Sequence, residues 1–132
     1  MSRQDSMPQI ATIRIKNLRL RTFIGFNEEE KTKKQDVIIN IELRYDATLA
    51  KQSDSVVDAC NYKILTKKII ALVEEQAFDL LEKMAGDIID LIADIGKIQY
   101  ASVEIDKPHA LRFADSVSIK MDYQKANCER VS

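Results

Sequence analysis

The sequence contains few of the residues on which many catalytic sites depend. Its three glycines (Gly25, Gly86 and Gly96) lie too far apart to form a phosphate-cradling loop or a dinucleotide-binding turn. A single histidine, His109, and no cysteine cluster argue against a zinc or iron site. No G-x-S-x-G motif is present, and one histidine gives little support to a serine or cysteine triad. Enzyme chemistry in this chain would therefore depend on lysine, tyrosine and carboxylates, and we expect no metal and no cofactor.

Strong net charge and long apolar runs are also missing. The formal net charge of -1 gives no sign of a nucleic-acid-binding surface. No apolar run approaches membrane length, and the N-terminal residues lack the apolar core of a signal peptide. The two cysteines, Cys60 and Cys128, form no C-x-x-C motif, which is typical of a reducing compartment. We expect a soluble cytoplasmic protein with no membrane or nucleic-acid partner.

The hydrophobic pattern predicts one domain. The chain has 132 residues, of which 45% are hydrophobic, enough for a single core. We expect a disordered tail over 1–9, one domain over 10–124 and a C-terminal tail over 125–132. The elements follow from alternating and helical spacing: a strand from Ile10 to Phe23 or Ile24 with a β-bulge near Lys16 and Asn17, a strand over 37–45, a helix over 62–76 capped by Asn61, a helix from near Leu80 to Gly96, and strands over 99–106 and 116–124.

This β-β-α-α-β-β order indicates an α+β fold. The simplest packing is a four-stranded antiparallel sheet with both helices on one face. The strands are long for so small a chain, and long open edges must be covered or paired. We therefore expect copies of the chain to join sheets edge to edge.

The segment Glu104–Ser116 is the first candidate functional region. An alternating strand leads into Lys107, and Pro108 should end that strand at or just before the lysine because proline has no N–H to donate. A lysine on a rigid strand end can serve as an acid or base when it is buried. The loop after it holds His109 and Arg112. The alternative interpretation is a solvated lysine.

Other candidates each have a structural explanation as well. Glu82 could accept two N–H donors of a pterin or guanine edge, or it could form a capping box with Asp79. Tyr62 could relay a proton, or it could only pack. Glu30 lies in a charged turn that could simply be solvated. The basic residues are most simply surface groups, but without a glycine loop any polyphosphate would have to bind to such side chains: Arg19, Arg21, Lys63, Lys67 and Lys68.

In this order and spacing, the segments resemble the dihydroneopterin aldolase family, and within it the epimerase branch. The likeness covers about Ile10 to Tyr123. The segments that carry it are Ile13–Gly25, Glu28–Glu30, Gln35–Asp36, Asn61–Tyr62, Leu80–Glu82 and Glu104–Ser116. The resemblance implies a tunnelling fold (T-fold), whose sheets join into tetrameric rings that stack into a homo-octamer. It also implies active sites between subunits and a small-molecule pterin triphosphate as substrate.

The resemblance also assigns roles to individual residues. It implies that Lys107, Tyr62 and Glu30 are catalytic, with Tyr62 contributed by the neighbouring subunit. Glu82 would anchor the pterin ring, Leu81 would offer a backbone contact, and Asn61 would also bind substrate. From their place beyond Lys107, we expect His109 and Arg112 to hold phosphates.

The implied reaction is epimerisation at C2′ of 7,8-dihydroneopterin triphosphate to the monapterin form, with some aldolase side activity. Two alternatives remain open from the sequence. One is a true aldolase that makes 6-hydroxymethyl-7,8-dihydropterin and glycolaldehyde. The other is a non-catalytic oligomeric pterin or purine binder, against which the presence of both Lys107 and Tyr62 argues.

Overall fold

The structure, a computed structural model, describes residues 7–126. The parts of the predicted tails at 1–6 and 127–132, together with Cys128, lie outside the described residues. No helix in the described range is long and apolar enough to cross a membrane. The elements in chain order are β1 (Ile10–Ile24), α1 (Glu28–Thr32), β2 (Gln35–Asp46), α2 (Thr48–Ser53), a single 3₁₀ turn (Val56–Asp58), α3 (Tyr62–Glu75), β3 (Ala77–Phe78), α4 (Leu81–Ala93), β4 (Ile98–Pro108) and β5 (Ser116–Gln124).

The strands form one sheet in the order β3-β1-β2-β4-β5. The four long strands β1, β2, β4 and β5 pair antiparallel, as the sequence predicted. The two-residue β3 adds a fifth strand, parallel to the end of β1 through Phe23 and Ile24. It is too short to leave an alternating pattern in the sequence. Its effect is to bring the start of α4 to the end of β1.

The core lies between one face of the sheet and the helices α3 and α4. Alternate side chains of β2 and β4 point into it because successive strand residues face opposite sides. Its fully buried members include residues from both layers: Val37, Ile39, Leu43, Leu65, Ile69, Val73, Met84, Ile88, Ile92, Val103 and Ile105. Within residues 7–126, neither long helix covers the other face of the sheet, whose side chains are mostly charged or polar.

The predicted β-bulge is confirmed. The pairing of β1 with β2 changes register between Ile15 and Leu18. Asn17 takes a left-handed conformation with φ of 53°, and its backbone N–H donates to Asn40 Oδ1 at 2.8 Å. Because the bulge adds one residue to β1, the positions that face the core change from odd numbers before it (Ile13 and Ile15) to even numbers after it (Leu18 and Leu20).

Of the two long helices, α3 begins with the predicted cap and α4 does not. The Asn61 side chain accepts a hydrogen bond from Ile64 N, which confirms it as the N-cap of α3. The predicted capping box of Asp79 with Glu82 is wrong, because Leu80 is the N-cap of α4 and no side chain caps that helix. Pairing of β3 with β1 keeps the chain extended through Leu80, so the helix begins one residue later. The helix also ends earlier than predicted, at Ala93 rather than at Gly96.

Pro108 does not end β4 where the sequence predicted. The strand continues through Lys107 to Pro108, where Pro108 is opposite Ser116 of β5. Its other neighbour, β2, is paired with β4 only as far as Asp106. A proline is tolerated here because one side of the strand is already unpaired, so no ladder N–H is needed there.

Candidate active site

The most buried charged contact in the described chain joins Lys107 to Glu30. Lys107 Nζ lies 2.5 Å from Glu30 Oε2, and the two side chains are 12% and 21% exposed. Lys107 occupies the helix-covered face of β4, two residues beyond Ile105, where the core ends. Glu30 comes from α1, which connects β1 to β2. The fold thus brings together two of the three residues predicted to be catalytic.

Glu30 is fixed by the backbone around it. Asn27 and Glu30 form a capping box: Glu30 N donates to Asn27 Oδ1 at 2.8 Å, and Asn27 N donates to Glu30 Oε1 at 3.4 Å. The carboxylate therefore caps a helix with one oxygen and accepts from Lys107 with the other. The hydrogen bond from Lys107 is the main cause that holds the pKa of Glu30 below its ordinary value of 4.5. Partial desolvation opposes this shift, and the Asn27 N–H adds to it.

Gly25 makes room for this carboxylate. Its φ of +129° is rarely adopted by residues with a side chain, and a Cβ atom built there would lie 2.1 Å from Glu30 Oε1. Gly25 N also donates to Phe78 O at 2.9 Å, which ties this turn to β3. A glycine is therefore required both by the backbone and by the position of Glu30.

Glu82 and Leu81 lie at the same end of the sheet as Lys107 and Glu30. Both belong to the first turn of α4, which follows β3 and therefore starts beside Gly25. Leu81 packs partly against the core, whereas Glu82 is exposed. Within residues 7–126, no hydrogen bond reaches the Glu82 carboxylate, which is therefore available to donors from a ligand. Its position next to the free N–H groups of a helix start suits a carboxylate.

Tyr62 and Asn61 lie at the opposite end of the same subunit. Lys97, immediately before β4, donates through Nζ to the carbonyls of Val57 and Ala59, in the loop that leads to α3. Lys107 is ten residues further along β4, so Tyr62 lies on the order of 20–30 Å away from it. One chain therefore does not bring all its predicted catalytic residues together. Tyr62 is 49% exposed, so its side chain is accessible to another molecule.

The loop after Lys107 borders two clefts. His109, exposed and in a left-handed conformation with φ of 64°, lines both of them. One cleft, of about 430 Å³, contains Glu30, Lys33 and Lys34. The other, of about 380 Å³, contains Arg19 and Arg21. Arg112 lines neither cleft, and its guanidinium lies 5.3 Å from the centre of the exposed Phe113 ring.

Sequence reasoning missed the residues that support Glu30. The pattern Asn27-x-x-Glu30 is a capping-box signature, but it lies in a run of charge that is also typical of a solvated turn. The contribution of Lys97 had no signal in the sequence, because it joins residues about forty positions apart. In residues 7–126, no group of three His, Cys, Asp or Glu side chains is arranged to hold a metal ion.

Comparison with known proteins agrees with this geometry. The dihydroneopterin aldolase family model matches residues 13–122. A dihydroneopterin triphosphate 2′-epimerase of Pseudomonas aeruginosa is 53% identical over 114 residues, covering 86% of this chain and 93% of that protein. The protein of the same description from Escherichia coli K12 is 51% identical over 115 residues, covering 87% and 96%. The crystal structure of E. coli dihydroneopterin aldolase in complex with neopterin superposes with a TM-score of 0.81 at 26% identity, covering 86% of this chain and 98% of that one. The chain belongs to the dihydroneopterin aldolase family.

Proposed function

We propose that this protein epimerises 7,8-dihydroneopterin triphosphate at C2′ to 7,8-dihydromonapterin triphosphate. The observation that carries the proposal is the Lys107–Glu30 pair at the end of β4, in a chain more than half identical to two epimerases of that description. The aldolase in complex with neopterin is much less similar, at 26% identity. The same site would support aldolase chemistry as a side reaction.

The first step breaks the C1′–C2′ bond. A base removes the proton of the 2′-hydroxyl, and the C2′ oxygen becomes an aldehyde oxygen. The hydrogen-bonded pair of Lys107 and Glu30 can accept this proton and later return it. The electrons of the broken C1′–C2′ bond form a C1′=C6 double bond, and the electron pair of the C6=N5 double bond moves to N5, which takes up a proton. The pterin itself is the electron sink, and the products held in the site are an enamine and an aldehyde.

The second step decides between the two reactions. If the aldehyde rotates and re-adds through its other face, C2′ is inverted and the enzyme is an epimerase. If it leaves, the enzyme is an aldolase. The triphosphate is attached to the aldehyde fragment, so contacts with phosphate keep that fragment in the site. Holding both fragments close and oriented favours recombination over release.

The remaining predicted residues have roles that follow from their positions. Glu82 would accept the N–H donors of the pterin ring, beside the backbone at Leu81. Tyr62 would exchange a proton at C1′. Since Tyr62 lies far from Lys107 in its own chain, we propose that it acts in the site of a neighbouring subunit, with Asn61 beside it. His109 and Arg112 stay candidates for phosphate contacts.

This arrangement requires a homo-oligomer. We propose tetrameric rings, formed by joining the open edges of β1 and β5, that stack in pairs into an octamer of the cytoplasm. The exposed apolar side chains near the start of α3 and those near Lys107 fit such an interface: Val56, Val57, Ile64, Phe26, Leu80 and Phe113.

Incubation with the triphosphate, followed by chromatography of the pterin products, tests the proposed reaction. We expect the monapterin form as the main product. Dominant release of glycolaldehyde from dihydroneopterin would instead identify an aldolase. Lys107→Ala should abolish turnover with pterin binding retained, whereas Lys120→Ala, at an exposed lysine of β5, should have no effect. Full turnover by Lys107→Ala would refute the mechanism.

A further inference from the structure

The end of β4 separates from β2 and leaves a gap in the sheet. β4 pairs with β2 up to Asp106, but it continues along β5 to Pro108. Pro108 has no N–H to extend the pairing with β2, and the left-handed backbone of His109 turns the chain away. The cleft of about 380 Å³ lies at this gap, between His109 and the facing ends of β1 and β2.

The charged side chains of this cleft favour an anion. Arg19 and Arg21 point to the same side of β1, so their Cα atoms are about 7 Å apart. His109 faces them, and Asp36 is the one acidic residue of the lining. Two guanidinium groups opposite a single carboxylate leave the cleft with positive charge, and the His109 side chain can add a hydrogen bond.

The two arginines differ in their partners. Arg21 is held in place, because one amino group donates to Lys34 O at 3.0 Å and its Nε lies 3.4 Å from Asp36 Oδ1. Arg19 forms no ion pair with any residue between 7 and 126. Arg19 is therefore free to pair with a ligand, and Arg21 is already oriented. Guanidinium groups bind phosphate through two parallel hydrogen bonds, which makes arginine a preferred phosphate ligand.

The cleft borders the proposed active site at His109, the one residue of the described chain that lines both clefts. The same histidine lines the neighbouring cleft that contains Glu30, and Lys107 precedes it by only two residues. Lys107 lies on the helix-covered face of the sheet and the two arginines lie on the opposite face. A substrate whose reacting carbon lies at Lys107 would therefore extend its phosphate chain past His109, through the gap between β4 and β2, toward Arg19 and Arg21.

We propose that Arg19, Arg21 and His109 form the polyphosphate subsite of this enzyme. The proposal rests on the proposed function and assigns the part of the substrate that the catalytic residues do not touch. Because the polyphosphate is carried by the aldehyde fragment, this subsite retains that fragment after C1′–C2′ cleavage. It therefore controls the division of the intermediate between epimerisation and release of aldehyde.

Binding of inorganic tripolyphosphate, measured by calorimetry, tests the subsite without catalysis. We expect Arg19→Gln and Arg21→Gln each to weaken binding about 10-fold or more, which corresponds to about 1.4 kcal/mol. Arg14→Gln is the matched control, because Arg14 lies on the same strand and the same face but pairs with Glu42 at 3.3 Å. We expect no change for this variant. Added salt should weaken binding to the wild type more than to Arg19→Gln.

Turnover provides a second and separate readout. With the triphosphate, Arg19→Gln should release a larger share of aldehyde relative to epimer, and its loss of kcat/KM should exceed the loss with unphosphorylated dihydroneopterin. Unchanged tripolyphosphate binding in both arginine variants would overturn the proposal, as would a loss confined to Arg112→Gln. If the wild type does not convert the triphosphate but binds tripolyphosphate through Arg19, the proposed function fails and the subsite stands.

Discussion

Gly25→Ala should strongly lower the activity of the enzyme, although it replaces no catalytic side chain. The new Cβ would lie 2.1 Å from Glu30 Oε1 and 2.2 Å from its Cδ, whereas ordinary contact begins at 3.4 Å. The Glu30 carboxylate must therefore move by about 1 Å or more, and a displacement of that size can lower catalysis about 100-fold. This loss corresponds to about 2.7 kcal/mol of transition-state stabilisation. The strained φ of +129° should also cost about 1–3 kcal/mol of stability.

Steady-state kinetics and thermal unfolding measure the two effects separately. Gly86→Ala is the matched control, because nothing lies within 4 Å of a Cβ at that position in α4. Replacing a helical glycine by alanine should stabilise the protein by up to about 1 kcal/mol and leave kcat/KM unchanged.

A double-mutant cycle shows whether the loss acts through Glu30. In a Glu30→Ala background, the carboxylate is absent, so Gly25→Ala should add little further loss of activity. Its cost in stability should persist, because the strained backbone remains. If Gly25→Ala retains wild-type kcat/KM, or if its loss of activity is as large without Glu30, the carboxylate is not the group that the glycine accommodates.

Three further predictions concern residues of the proposed active site. Glu82→Gln should weaken pterin binding about 10- to 100-fold, because hydrogen bonds to a charged group contribute about 1.5–3 kcal/mol. Asp79→Asn is the control and should leave the binding constant unchanged. Mixing inactive Lys107→Ala and Tyr62→Ala subunits should restore part of the activity, because some mixed interfaces join an intact Lys107 of one subunit to an intact Tyr62 of the other. No recovery after proven subunit exchange would contradict a shared site. The stability that Glu30 contributes relative to Glu30→Gln should be complete above pH 4.5 and disappear as pH falls through the lowered pKa of the folded state. Chemical unfolding of both proteins across this pH range measures the difference, and a constant difference would be inconsistent with the ion pair.

The sequence predicted the long elements well because each leaves a repeated pattern. Alternation along β1 even revealed the bulge at Asn17, since the extra residue exchanges the odd and even positions that face the core. The Asn61 cap was also predictable, because a short polar residue immediately precedes a helical run. Both signals are local, and neither depends on distant parts of the chain.

The failures concern features that tertiary pairing decides. The structure forms a capping box at Asn27 and Glu30, which was not predicted, and lacks the predicted one at Asp79 and Glu82. The second is lost because a two-residue strand extends the chain through Leu80, which no periodicity can reveal. The contact of Glu30 with Lys107 joins residues 77 positions apart and was expected only through family resemblance.

The distance between Lys107 and Tyr62 has a consequence for how activity depends on concentration. In the proposed assembly, an isolated chain carries two different half-sites and no complete one. An open row of joined chains then has one complete site fewer than it has chains. Closing the row into a ring supplies the missing site. Specific activity per chain should therefore fall on dilution more steeply than the fraction of joined chains, because each opened ring loses a site before any chain separates.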